Sequence, residues 1–297
     1  MGKVDEVGAA MRRAASEVGG SVVGIGSRLR GSGVVVADGR VLTNAHNLRG
    51  EEVTVTFADG RSTRGRVAGA DLDGDLAVIE VDTAGTRPVE WGGGEPVTVG
   101  TLVFALAATV GGGVRVSEGR VSAVERSFHG PGGRRIGGGV EHTAPLAPGS
   151  SGGPIVDVDG RLLGIDTNRL GDGFYLAVPA DAALRSRVDA LGRGEAPVRR
   201  RLGIAVAPRE VSRRLRASVG LPERTGLLVR AVEEGGLAER AGVREGDLIV
   251  SAGGRAVEEI DDLHEVLGTA ELPLELAVVR GTEERTVTVT EEASPQG

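Results

Sequence analysis

Glycine falls repeatedly at the ends of short valine-rich runs in this chain, and that punctuation narrows the folds open to it. The segment Gly31-Ser32-Gly33-Val34-Val35-Val36, then Ala37-Asp38-Gly39-Arg40, then Val41-Leu42-Thr43 shows the pattern in one place. An apolar run bounded by turn residues reads as a buried strand, and Asp-Gly supplies the backbone freedom of a tight hairpin. With 50 glycines and an aromatic content of 2% in 297 residues, many tight turns and small aliphatic cores are expected, which favours antiparallel β-barrels. The length suits two domains, each large enough for its own core.

A second glycine-rich segment has a different character. Gly149-Ser150-Ser151-Gly152-Gly153-Pro154 sets a hydroxyl among small residues, so that the backbone can turn sharply and bring N–H groups against a substrate carbonyl. A serine nucleophile also needs a base to take its proton and amides to receive the developing oxyanion. The chain has four histidines, and His46 is delivered by the second strand of the hairpin, in Thr43-Asn44-Ala45-His46. Asp75 closes an acidic cluster that runs into an apolar strand, Asp71-Leu72-Asp73-Gly74-Asp75-Leu76-Ala77-Val78-Ile79. It stands at the rim of the core, whereas Asp71 and Asp73 read as a solvated turn. The order His, Asp, Ser is that of chymotrypsin-type proteases and not of subtilisins or α/β-hydrolases.

At these residues the chain resembles the HtrA/Deg family of trypsin-fold serine proteases with a C-terminal PDZ domain. The resemblance runs from about Val22 to about Glu291 and includes Gly119-Arg120-Val121-Ser122-Ala123 and Gly164-Ile165-Asp166-Thr167. It implies a mainly β protein: a two-barrel trypsin/chymotrypsin-like protease fold followed by an α+β PDZ domain. It also implies Ser151 as nucleophile, His46 as general base and then acid, and Asp75 as the group that orients the imidazole. The N–H groups of Gly149 and Ser151 would form the oxyanion hole. Three positions depart from the family pattern: Ser150 and Ala147 stand where Asn is usual, and Thr143 where an acid is usual. All three fall in the loop that shapes the oxyanion hole and the S1 pocket.

In trypsin-fold enzymes the residue six before the nucleophile lies at the base of S1, and here it is Pro145. No acid stands there to bind Lys or Arg, so an aliphatic P1 side chain is expected. Ile165, Asp166, Thr167 and the segment Gly173–Pro179 would supply the other walls.

After Pro179 the pattern changes. Ala180 to Leu191 has helical spacing, and Gly192-Arg193-Gly194-Glu195-Ala196-Pro197 breaks it as a linker. The basic run Arg199-Arg200-Arg201 reads as a solvated cluster. The expected plan is a helix over 1–20 packed on the protease, the protease domain over 21–191 and a linker over 192–200. A PDZ domain over 201–292 and a disordered tail over 293–297 complete it. By resemblance, Leu202-Gly203-Ile204 is the carboxylate-binding loop of the PDZ domain, and a helix from Ile260 to Leu267 forms the opposite wall of its groove. A peptide would add there as a strand to the sheet edge.

Other classes are excluded or disfavoured. There is no cysteine, hence no disulfide or thiolate metal site. His129 and His142 are too isolated for a metal centre, and no cofactor is expected. The formal net charge of −7 provides no footprint for nucleic acid. Gly132–Gly139 lacks the Lys-Ser/Thr of a phosphate loop and reads as a β-hairpin. No membrane span or export signal is evident, which places the chain in the cytoplasm as it stands, or outside it if a leader was trimmed. The first Phe is Phe57, so the N-terminal aromatics common in the family's homo-trimers are missing, and both a monomer and a homo-trimer stay open. The resemblance implies an ATP-independent endopeptidase that degrades or trims misfolded proteins, with the PDZ domain capturing C-terminal peptides. The alternatives are a narrow-specificity, PDZ-regulated signalling protease and a non-catalytic chaperone or scaffold with a protease fold.

Overall fold

The computed structural model of the chain describes residues 3–93, 96–130, 135–195 and 201–290. The linker residues 196–200, the hairpin residues 132–134 and the tail 293–297 lie outside the described residues. The chain divides into two compact units, Met1–Pro197 and Val198–Gly297.

The first unit is built from two closed six-stranded barrels. The first contains β1 (Val22–Ile25), β2 (Gly31–Ala37), β3 (Arg40–Thr43), β4 (Glu52–Thr56), β5 (Ser62–Asp71) and β6 (Leu76–Glu80), in the order β1-β2-β3-β6-β5-β4. The second contains β7 (Leu102–Ala108), β8 (Val114–His129), β9 (Arg135–His142), β10 (Pro154–Val156), β11 (Leu162–Gly171) and β12 (Phe174–Pro179), in the order β10-β11-β12-β9-β8-β7.

The alternation along β2 explains why its valines run without a break. Val35 points into the first barrel with Val23, Ile25, Val41 and Val55. Val34 and Val36 face a second core shared with Phe104, Leu106, Leu162 and Ile165 of the other barrel. Side chains two apart share a face, so a strand buried on both sides needs apolar residues at every position. The interior of the second barrel is filled by Val103, Ala105, Val121, Val140 and Ala177, which is why so few aromatics suffice.

Helices close the shared core. On α1 (Lys3–Glu17), Ala10 and Ala14 are buried in the shared core and Met11 packs against it. Helix α2 (Ala182–Gly192) buries Leu184, Val188 and Leu191, and Asp181 caps it by accepting from the Leu184 N–H at 2.7 Å.

The second unit is a six-stranded sheet. Its strands are β13 (Ile204–Val206), β14 (Leu227–Val232), β15 (Leu248–Ala252), β16 (Arg255–Ala256), β17 (Leu274–Arg280) and β18 (Glu283–Val289). They run β13-β14-β15-β17-β18, with β16 paired to β15. Helices α3 (Arg209–Ser218), α4 (Leu237–Arg240) and α5 (Ile260–Thr269) accompany them. Val229, Ile249, Leu276 and Val278 face a core shared with Leu263, Val266 and Leu267 of α5. Leu228, Leu248 and Val279 face the opposite side, where Leu215 of α3 packs.

Candidate active site

The end of β3 delivers His46 on a single 3₁₀ turn, Ala45–Asn47. Across from it, the turn before β6 holds Asp75 at φ 52°, a left-handed conformation that Asp tolerates better than most residues. His46 Nδ1 lies 2.8 and 3.0 Å from the two carboxylate oxygens of Asp75, and the His46 backbone N–H donates to Oδ1 at 3.1 Å. Thr167 Oγ1 donates to Asp75 Oδ2 at 2.7 Å, and Asn44 Nδ2 donates to the Asp75 carbonyl at 2.9 Å. Asp75 is fully buried and every oxygen of its carboxylate has a donor. The imidazole is therefore fixed with Nδ1 toward the acid, which leaves Nε2 on the far side of the ring, and 31% of the side chain stays exposed.

Ser151 sits on the loop between β9 and β10, and the first barrel holds that loop in place. Ser32 of β2 donates its N–H to the Ser151 carbonyl at 2.8 Å and its Oγ to the Gly149 carbonyl at 2.8 Å. Asn47 Nδ2 also donates to the Ser151 carbonyl, at 2.9 Å. Gly152, at φ 89°, leaves no room for a side chain, because a Cβ would stand 2.2 Å from the Ser32 carbonyl oxygen. Gly149 takes φ 87° in a turn closed by the Ser150 N–H to the Ala147 carbonyl at 3.2 Å. A positive φ at the third position is the mark of a type II turn. Among the described residues, neither the Gly149 nor the Ser151 N–H donates to a protein acceptor. Ser151 Oγ makes its hydrogen bond to the Thr167 carbonyl at a long 3.5 Å, and none of the described hydrogen bonds joins it to His46.

A cavity of about 130 Å³ opens beside Ser151, walled by Leu146, Ala147, Asp166, Thr167 and Tyr175. Two of the expected walls are not there. Pro145 is exposed, and its carbonyl accepts from Ser117 Oγ at 2.7 Å, which holds that residue on the surface. Ile165 is fully buried in the core shared by the barrels, since alternation along β11 turns it away from the cavity. Thr167 lies in a register shift between Asp166 and Asn168. The shift breaks the alternation and lets Asp166 and Thr167 both line the cavity.

His142, which the sequence marks only as too isolated for a metal centre, is paired with Asp166. It lies 2.8 Å from Asp166 through Nε2, stacks on Tyr175 and accepts the Ala144 N–H at Nδ1, 3.3 Å away. With Nδ1 accepting, the proton of the neutral ring sits on Nε2 and is donated to the carboxylate. Burial pushes the Asp166 carboxyl above the usual range, opposed by the attraction and hydrogen bond of His142. Its Oδ2 is buried with no hydrogen-bond partner. The pairing is hidden in the sequence because it depends on the order β11-β12-β9. Asp71 is also different from its reading. It is buried, its Oδ1 accepts from the N–H groups of Asp73 and Gly74, and Arg187 lies 3.5 Å away. It ties down the turn that presents Asp75.

In the second unit, Gly203 takes φ 74°. The Leu202 and Gly203 carbonyls accept from Ala238 and Glu233 at 2.8 and 2.7 Å. The loop is thus anchored by its carbonyls, and among the described residues the Leu202 and Gly203 N–H groups have no protein acceptor. Ile204 begins β13, which lies at the sheet edge, and it packs on the same core as α5. Among the described residues no group of His, Asp and Glu side chains is arranged to hold a metal ion.

Residues 31–165 match the family described as trypsin-like peptidase domain, and residues 228–280 match the PDZ domain family. A DegP-like periplasmic serine endoprotease of Halomonas elongata is 32% identical over 272 residues, covering 89% of this chain and 56% of the relative. The serine protease HhoB of Synechocystis is 32% identical over 265 residues, covering 84% of this chain and 63% of the relative. The chain thus spans little more than half the length of such relatives. Among solved structures, the HtrA-type protease AlgW with tripeptide is 26% identical, with a TM-score of 0.67 over 94% of this chain and 95% of that one. A serine endoprotease from Yersinia pestis shares the fold, with a TM-score of 0.70 and 23% identity over 94% of this chain and 96% of that one.

Proposed function

The chain belongs to the HtrA/Deg family of trypsin-fold serine proteases that carry a PDZ domain, and from that premise we propose that it is an ATP-independent endopeptidase acting on unfolded protein. The observation that carries the reading is the His46–Asp75 couple, its acid buried and its imidazole partly exposed, together with Gly149 and Ser151 amides that have no described protein acceptor.

In this reading a substrate carbonyl enters with its oxygen toward the two amides. The Ser151 hydroxyl, held only by its long bond to Thr167, rotates toward His46 Nε2. His46 takes the proton as Oγ bonds to the carbonyl carbon, and the two N–H groups receive the oxyanion. His46 then passes that proton to the leaving amine, giving an acyl-enzyme on Ser151. Water attacks the acyl carbon, His46 takes the water's proton, and the Ser151 oxygen leaves and recovers it. Asp75 stabilises the charged imidazole in both halves of the reaction. Open amides at rest support turnover over a purely chaperone role, despite Ser150, Thr143 and Ala147.

The cavity supports a small or medium P1 side chain. Leu146 and Tyr175 favour an aliphatic one. The PDZ unit captures a peptide C-terminus on the Leu202 and Gly203 amides, and the peptide extends as a strand along β13. No described helix is long and apolar enough to cross a membrane. Relatives named as periplasmic favour action outside the cytoplasm, and the cytoplasmic placement finds no support among them.

Digestion of an unfolded protein, mapped by mass spectrometry, tests the reading. Many cleavages after small aliphatic residues, all lost in Ser151→Ala, are expected. One unique cleavage would favour the signalling alternative, and none would reject the endopeptidase.

A further inference from the structure

Helix α3 presents Arg209, Ser212, Arg213 and Arg216 on one face, the i, i+3, i+4, i+7 spacing that aligns side chains. That face lines a cavity of about 350 Å³, completed by Ala217, Leu221, Glu223, Arg224 and the chain through Gly226. Arg216 is the unusual member. It is 4% exposed, and its Nε and Nη1 are buried without any hydrogen-bond partner. Its described side-chain hydrogen bond is from Nη2 to the Pro222 carbonyl at 3.3 Å.

A buried guanidinium with open donors is costly unless an anion joins it. Among the lining residues, Arg209, Arg213, Arg216 and Arg224 stand against the single carboxylate of Glu223. Arg209 is exposed with no described partner, and Arg213 is held by Glu210 at 2.9 Å. Arg224 pairs with Glu284. Glu223 is exposed. Burial, and then the nearby Arg224 charge, pull the Arg216 pKa below the usual arginine value.

We propose that this face of the PDZ unit is a binding site for a small phosphate-bearing anion, with Arg216 as the buried donor and Arg209, Arg213 and Arg224 around it. Guanidinium groups match phosphate oxygens in charge and geometry. The cavity volume falls at the lower end of small-ligand sites, about 300–1,000 Å³, which suits a diphosphate or a small organic phosphate. The site is distinct from the proposed peptide groove. Its helix packs on the Leu228–Leu248 side of the sheet, whereas α5 packs on the Val229–Ile249 side.

The test is titration of the full chain with inorganic diphosphate, read by calorimetry and thermal unfolding against sodium chloride of equal ionic strength. Saturation at one equivalent and a raised melting temperature are expected, with inorganic phosphate binding more weakly. Arg216→Met removes a buried charge, so it should fold and should weaken binding about tenfold or more, as loss of a charged hydrogen-bonding group does. Arg209→Gln changes an exposed residue, cannot threaten the fold, and should weaken binding in the same direction. The proposal fails if diphosphate does no more than matched salt, or if both variants bind as the parent does. It fails equally if a C-terminal peptide displaces diphosphate, or if an acidic peptide binds Arg216 in its place.

Discussion

Each unit buries an aspartate against a cationic or ionisable partner, and the two pairs are built differently. In the second unit Asp247 is fully buried and accepts Arg280 Nε and Nη2, both at 2.8 Å, and the Arg244 N–H at 2.9 Å. Both of its oxygens are satisfied. Burial raises its pKa, but the Arg280 bonds and the Arg244 amide outweigh that and hold it below the usual carboxylate value. In the first unit Asp166 has the one hydrogen bond to His142 and an orphaned oxygen, and its pKa is raised. The difference separates a carboxylate that ties strands together from one left half-paired on the wall of a cavity. Asp75 stands between them: buried and satisfied like Asp247, yet bonded to an imidazole that carries a second proton only in passing under the proposed mechanism.

The sharpest break of this comparison is at Asp75. Asp75→Asn would offer an amide N–H to His46 Nδ1 and force the proton onto Nε2, where it can no longer accept from Ser151. Turnover should fall about 10⁴-fold with little change in the melting temperature, checked by peptide hydrolysis and calorimetry. Asp247→Ala should do the reverse. It strands Arg280 and should destabilise the second unit by about 3–5 kcal/mol, read as a separate early melting transition and lost peptide capture. Hydrolysis of a short peptide at Ser151 should persist.

Asp166→Asn has a smaller expected effect. It keeps an acceptor for His142 and removes a poorly compensated buried charge, so stability at pH 7 should rise by about 1 kcal/mol. A change in P1 preference, read by profiling cleavage sites, should accompany it because Asp166 lines the cavity. The smallest effect is the pH dependence. Asp247 has a lowered folded pKa, so its stabilisation is present above the unfolded value of about 3.9 and is lost as pH falls through the lower folded value. Asp166 has a raised folded pKa, so its contribution is fully present below about 3.9 and is lost as pH rises through the folded value. Melting curves of Asp247→Asn and Asp166→Asn against pH should therefore depart from the parent in opposite directions.

What the sequence made legible is local. His46, Asp75 and Ser151 sit in short motifs whose order along the chain carries meaning, and the Val34–Val36 run announces a strand buried on both faces. What it hid depends on register and separation. Pro145 was placed by counting back from Ser151, but a count fixes distance along the chain and not the path of the loop. Thr167 reaches Asp75 through a register shift in β11. Ser32 and Asn47 hold the Ser151 loop from more than a hundred residues away. Asp166 meets His142 only because β12 lies between their strands. No local pattern reports such contacts.

The most direct measurement is labelling with a fluorophosphonate probe, mapped by mass spectrometry, on the parent chain and on Ser151→Ala. An adduct on Ser151 in the parent, absent from the variant, is expected if His46 activates the hydroxyl and the two amides receive the oxyanion. No adduct, even with C-terminal peptide and unfolded protein present, would contradict an active nucleophile and turn the reading toward a binding protein with a protease fold.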